Sequence, residues 1–188
     1  MIKIGITGSL ASGKSTVAKI IASKKYPLFD ADKVVKKIYQ TNIFKTKIFK
    51  KFKLKSKKNI KNNIKKIISK NEKFLKDLEK IIHPIVRKQI RSFLKSNKKK
   101  KFVIFEIPLL IESKLMKNYD KIILVNSRRD IRLKRYLKRG NNKKIFNLLN
   151  KRQLPPAKKI KFCDYVINNN NSLKLLKKNV RIIKKIYE

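Results

Sequence analysis

The sequence predicts a three-layer α/β fold: a mainly parallel, five-stranded sheet covered by helices on both faces and interrupted by an inserted helical region. Three observations predict it. Short, continuously apolar runs of the kind found in buried parallel strands alternate with segments whose apolar residues recur at helical spacing. Three of the chain's four glycines, Gly5, Gly8 and Gly13, fall within IKIGITGSLASGKST (2–16), at the join between the first apolar run and the first helical segment. The 188 residues, 41% of them apolar, suffice for one core with smaller insertions even though 35% are charged.

IKIGI (2–6) reads as a buried strand, and after a turn TVAKIIASKK carries Val17, Ile20 and Ile21 at helical spacing. Pro27-Leu28-Phe29 is a second short strand ending at Asp30, and ADKVVKKIYQ resumes the helical period. From about 43 to 97 the chain is helical, lysine-rich and free of glycine. His83-Pro84 interrupts it, and Pro84 is expected to open a new helix at its first turn. KFVIFEIPLL (101–110) and DKIILVNS (120–127) are two further strands. Basic helical segments fill 128–162, broken at Gly140 and at Pro155-Pro156; DYVIN (164–168) is the last strand, the asparagine run at 168–171 reads as a loop, and SLKLLKKNVRIIKKIY closes as an amphipathic helix. The expected organisation is one domain over 1–188, with its core in 1–42, 98–127 and 163–188.

The net charge of +43 points first to a polyanionic partner, nucleic acid or an anionic surface. The charge is lysine-dominated and spread over nearly every segment rather than gathered into a stripe, which better fits a compositional bias toward Lys, Asn and Ile. Arginine behaves differently: six of nine, Arg128, Arg129, Arg132, Arg135, Arg139 and Arg152, lie between 128 and 152. A guanidinium fork matches phosphate oxygens, so these either contact phosphate or line a solvated helix face. The single cysteine, Cys163, excludes an internal disulfide framework and reads as a small buried hydrophobe. No signal peptide and no membrane-spanning stretch is expected, which favours a cytoplasmic protein.

Gly8-x4-Gly13-Lys14-Ser15 is the phosphate-binding pattern GxxxxGK[ST], placed where it carries meaning, after a strand and at the head of a helix. Backbone N–H groups must curl around phosphate oxygens, so side chains are excluded at Gly8 and Gly13. The helix beginning there aims its unsatisfied N–H groups at the same anion. Lys14 is expected to bridge the β and γ phosphates and Ser15 to ligate Mg²⁺. The candidates for ATP contact are Gly8, Ala11, Ser12, Gly13, Lys14, Ser15 and Thr16.

The acceptor has to be served from elsewhere. Asp30 and Asp32 stand at the C-terminal end of the second strand, the edge where open α/β sheets bind ligands. Either carboxylate can take a proton from an attacking hydroxyl while the other positions it or holds metal-bound water; alternatively Asp30 caps the next helix. Glu106 ends the following strand, where it either serves the metal or pairs with a lysine. His83, the only histidine, is by itself a helix cap or a satisfied core residue more often than a site.

Together, ITGSLASGKSTVA, FDADKVVKKIY, IIHPIVRKQI, IFEIPLLIES and RQLPPAKKIKFCDYVINNN resemble, in order and over most of the chain, the dephospho-coenzyme A kinase family. That resemblance implies a P-loop kinase fold with a helical CoA-binding insertion over about 43–97 and a lid over about 128–162. It implies phosphorylation of the ribose 3′-hydroxyl of dephospho-CoA by ATP with Mg²⁺. By the same resemblance Asp32 is the base, Lys14 the phosphate clamp and Arg139 a lid residue steadying the transferred group, making these three the catalytic candidates. Asp30, Asp32, His83 and Arg87 become substrate-binding candidates, and Ser15 and Glu106 the metal-binding pair. The chain departs from the family pattern at Ser9 and Ala11, often glycine, at Glu106 and Asn168, usually aspartate, and at Ile160, commonly basic. Another small-molecule or nucleoside monophosphate kinase is the alternative on the same fold. A nucleic-acid-binding ATPase is the alternative that the charge suggests, but no groove-reading motif or aromatic stacking platform supports it, and no specific nucleic acid or membrane partner is expected. A monomer or weak homo-oligomer is expected.

Overall fold

A computed structural model describes residues 1–52 and 72–187. The part of the predicted helical insertion between 53 and 71 lies outside them. The chain divides into two compact units, Met1–Asp30 with Asn97–Glu188, and Ala31–Ser96.

The first unit holds a five-stranded sheet built from β1 (Ile2–Gly8), β2 (Leu28–Asp30), β3 (Phe102–Glu106), β4 (Lys121–Asn126) and β5 (Tyr165–Asn168). The order is β2-β3-β1-β4-β5, with every pair parallel. Chain order reverses across β3 and β1, so the crevice at their C-terminal ends is the place where open sheets of this kind take ligands. Helices α1 (Lys14–Ala22) and α8 (Leu173–Tyr187) cover one face. Val17, Ala18 and Ile21 of α1 and Leu176 and Val180 of α8 bury against Ile4, Ile6, Phe102, Ile104, Ile123, Val125 and Ile167. Each such aliphatic side chain taken from water stabilises the unit by about 1.5–3 kcal/mol. Also in this unit are α5 (Arg129–Leu137), α6 (Lys143–Lys151) and α7 (Pro156–Ile160).

Gly5 meets a packing demand on the opposite face: a methyl group there would sit 2.6 Å from Leu110 Cδ1 and 3.1 Å from the Tyr119 ring. The predicted strand 101–110 is shorter than expected for a related reason. After Glu106 one further sheet bond forms, from Ile107 N–H to Ile6 O (3.0 Å). Pro108 then has no N–H to offer, and the chain turns, with Leu110 N–H donating back to Ile107 O (3.3 Å). The apolar residues Leu110 and Ile111 are buried by that turn and not by a strand.

β5 begins with a carboxylate clamp. Asp164 Oδ2 accepts from Ile122 N–H (2.8 Å) and Oδ1 from Lys121 Nζ (3.1 Å). Partial burial works to raise the Asp164 pKa, but the Ile122 N–H and the Lys121 ammonium outweigh it and hold the carboxyl below its ordinary value. A depressed carboxylate contributes stability that is fully present above the usual carboxylate range and is lost as pH falls through the lowered value. Asp164→Asn is therefore expected to lower the melting temperature by about 2–4 °C near neutral pH, with the gap closing in strong acid. Thermal melts of the two proteins against pH check this.

The second unit, Ala31–Ser96, contains α2 (Ala31–Gln40), α3 (Asn42–Phe52) and α4 (Glu72–Ser96). Ile38, Phe44, Ile48, Leu78, Ile81 and Ile82 form its core, with Val34, Val35, Ile85 and Val86 packed against them. Pro84 does not open a new helix; α4 runs through it. A proline inside a helix costs about 3 kcal/mol, through the lost bond to the residue four back. The apolar stripe Leu78, Ile81, Ile82, Ile85, Val86 continues across it, and burying two of those side chains is worth at least as much. Among the described residues no helix is long and apolar enough to cross a membrane.

Candidate active site

The site grows from the end of β1. Gly8 has φ 150° and Gly13 φ 99°, both outside the range that side chains tolerate. A Cβ on Gly8 would run into Val125 O, and one on Gly13 into Asn169 Nδ2, so close packing and backbone conformation demand glycine together. Between them Ala11 takes φ 60° with a side chain in place. That conformation costs about 1–2 kcal/mol. Its methyl group is compensated by burial against Tyr136 and Phe146, so the departure from glycine noted in the sequence is absorbed by packing.

Within the loop, Ser9 O accepts both Ser12 N–H (3.1 Å) and Lys14 Nζ (3.0 Å). Lys14 is only 8% exposed, held along the loop by that bond. Thr16 and Val17 N–H both donate to Gly13 O (3.1 Å each), which starts α1. The amides of Lys14 and Ser15, in the first turn, have no intrahelical acceptor and form the electropositive end of α1. Bare backbone, a buried ammonium and a helix N-terminus suit a polyphosphate.

Ser15 Oγ donates to Glu106 Oε1 at 2.6 Å. Glu106 is 5% exposed at the end of β3, in register with Ile6 of β1 on one side and Asp30 of β2 on the other. A hydroxyl and carboxylates along one strand edge are hard oxygen donors, the set Mg²⁺ selects.

The loop's outward atoms are held by residues that sequence reasoning missed. Leu10 N–H donates to Gln153 Oε1 (2.7 Å), and Asn169 Nδ2 donates to Ser12 O (2.8 Å). Asn169 belongs to the run read as a loop; it is 6% exposed, and Asn168 before it completes β5. Ser127 Oγ donates to Asn169 O (2.9 Å), and Arg135 reaches Ser127 Oγ (3.3 Å) and Asn169 Oδ1 (3.4 Å). On the other side of Gln153, Glu112 Oε1 accepts Leu154 N–H (3.1 Å) and pairs with the fully buried Lys159.

The arginine concentration thus divides. Arg132 is buried, Arg135 half-buried, and Arg128, Arg129, Arg139 and Arg152 exposed. Burial first, and then the charge of Arg139, pull Arg135 below the ordinary guanidinium value, so an anion beside these two relieves repulsion. Cys163 is half-buried and donates to Lys159 O (3.2 Å); burial pushes its thiol up to about 11. That fits a packing residue and not a nucleophile.

Of the predicted site residues, Gly8, Ala11, Ser12, Gly13, Lys14, Ser15, Thr16, Asp30 and Glu106 belong to the sheet unit, along the C-terminal edge of β1, β2 and β3 and the loop and helix that follow β1. Arg139 is in the same unit, exposed just beyond α5. Asp32, His83 and Arg87 belong to the helical unit. Asp32 lies in the first turn of α2, and His83 and Arg87 stand one turn apart on α4, all three exposed.

A family model described as dephospho-CoA kinase matches residues 2–174. A dephospho-CoA kinase of Fusobacterium nucleatum is 39% identical over 182 residues, covering 94% of both chains. One of Aquifex aeolicus is 35% identical over 193 aligned positions, covering 100% of this chain and 97% of its own. The solved structure of a dephospho-CoA kinase from Campylobacter jejuni superposes with a TM-score of 0.67 at 27% identity, over 99% of this chain and 97% of that one. The glycine-bounded loop, its lysine and the Ser15–Glu106 pair therefore sit in a chain matched from end to end, and the protein belongs to the dephospho-CoA kinase family.

Proposed function

We propose that this protein transfers the γ-phosphoryl group of ATP to the ribose 3′-hydroxyl of dephospho-CoA, giving CoA and ADP. One observation carries the reading: a phosphate loop with its buried lysine, and a serine hydroxyl bonded to a strand-end glutamate, in a chain matched over 2–174 to that family. The loop amides and Lys14 bind the triphosphate and stabilise charge as the γ-phosphoryl is released. Ser15 and Glu106 would hold Mg²⁺, which would supply charge neutralisation to the bound triphosphate, while Asp30 would position the acceptor or hold metal-bound water.

Asp32 accepts the proton of the 3′-hydroxyl as that oxygen bonds to Pγ and the bond from Pγ to the β–γ bridging oxygen breaks, leaving ADP. His83 and Arg87 bind the acceptor from α4, and Arg139 steadies the phosphoryl group from the lid. The net charge of +43 draws both anionic substrates toward the protein. An acceptor panel tests the assignment: dephospho-CoA, nucleoside monophosphates and small hydroxylated acids, each with ATP and Mg²⁺, read by mass spectrometry. CoA from dephospho-CoA is the expected product. Phosphorylation of another acceptor with none of dephospho-CoA would overturn it.

A further inference from the structure

Arg132 is 4% exposed, yet none of its hydrogen bonds among the described residues goes to an acid. Its Nε donates to Ser127 O (3.0 Å), and its Nη1 donates to Leu10 O (3.3 Å) and Asn150 Oδ1 (2.8 Å). Its guanidinium carbon stands 5.6 Å from the centre of the Phe146 ring. Burial, and then the neighbouring charge of Arg129, draw Arg132 below the ordinary guanidinium value, the cost of keeping a cation there among neutral acceptors. A guanidinium stays protonated at working pH even so.

Those three acceptors belong to three different pieces of the unit: the outer side of the phosphate loop, the end of β4, and α6. Leu10 is bound at both polar atoms, its N–H by Gln153 and its carbonyl by Arg132, so the peptide groups on either side of it cannot rotate freely. The next residue is Ala11, whose positive φ sets the direction of the inward-curving amides and whose methyl group packs on the same Phe146 ring that Arg132 covers. One side chain thus fixes the loop from outside while adding a buried positive charge that no carboxylate among the described residues bonds.

We infer that Arg132 is a positioning residue for the nucleotide, holding the phosphate loop in its binding curvature through Leu10 O and placing an uncompensated charge behind it. The inference rests on the ATP reading above. Holding the loop serves ground state and transition state alike, so the effect belongs in affinity and not in turnover. A hydrogen bond to a charged group contributes about 1.5–3 kcal/mol, or roughly ten- to hundredfold in binding.

The test is calorimetric binding of ATP to the full-length protein, with steady-state kinetics alongside. Arg132→Met is expected to raise the ATP Kd and KM about tenfold or more while kcat and the KM for dephospho-CoA stay within about threefold. Arg132→Lys, which keeps the charge with a single donor group, should recover part of the loss. Asn150→Ala leaves the arginine in place and removes one of its anchors; it should weaken ATP binding about threefold, and it keeps the test decisive if Arg132→Met does not fold. Unchanged ATP affinity in both Asn150→Ala and whichever Arg132 variants fold, with only a lowered melting temperature, would overturn the inference and leave Arg132 a packing residue. If the parent protein binds no ATP, the kinase reading fails first and takes this one with it.

Discussion

Lys14→Met is expected to lower kcat about 10²–10³-fold, the loss typical of removing one preorganised charge from a site where anionic charge develops. The lysine is nearly buried, so its charge acts through little water and counts for more than a surface ammonium. Its Nζ donates to Ser9 O, which also accepts Ser12 N–H. Methionine fills a similar volume, and the loop keeps its internal bond, so the melting temperature should move by only a few degrees. Steady-state kinetics on protein verified by circular dichroism would show this. A Lys14→Met enzyme that retained kcat would remove the clamp from the account.

The second large effect is at Asp32. Asp32→Asn is expected to reduce kcat about 10²–10⁴-fold, the contribution of a positioned general base. An amide of the same shape can still hold a hydroxyl by hydrogen bonding but cannot take its proton. The melting temperature should move far less than the turnover, because Asp32 is exposed in the first turn of α2. The signature is therefore a turnover defect with near-parental ATP binding, opposite to that expected of Arg132→Met. Asp30→Asn, at the strand end in register with Glu106, should weaken metal-dependent activity without the same loss at saturating Mg²⁺. Comparing the two aspartates over a Mg²⁺ titration separates their roles.

What the sequence discloses here is local chemistry. The strand–loop–helix around Gly8 and Gly13 is legible because positive φ and bare backbone are demands that only glycine meets, and they recur at a fixed spacing. The central strands β1, β3 and β4 are legible because parallel strands buried on both faces are continuously apolar, and the half-exposed edge strands β2 and β5 are marked only by short apolar runs. Periodicity overreaches at 107–110, since Ile107, Leu110 and Ile111 are as apolar as a strand but are buried by a turn that Pro108 imposes. It fails at Pro84 for the converse reason: a local breaker is overridden by a stripe that packs on both sides of it.

The scaffold of the loop was beyond sequence reasoning altogether. Gln153 and Asn169 meet Leu10 and Ser12 across 143 and 157 positions, and no local spacing encodes such a meeting. The one available signal was arginine crowding, which points to phosphate or solvent, whereas Arg132 turns out to bind the loop's own carbonyl. Ala11 shows the same limit. Its substitution for glycine is visible, but the Tyr136–Phe146 surface that makes it tolerable is not.

The most direct measurement follows the phosphoryl group itself. With ATP carrying ¹⁸O in its terminal phosphoryl oxygens, dephospho-CoA and Mg²⁺, ³¹P NMR should find the labelled phosphate on the ribose 3′-oxygen of the CoA formed, with ADP in equal amount. Label recovered only in inorganic phosphate, with dephospho-CoA unchanged, would contradict the account.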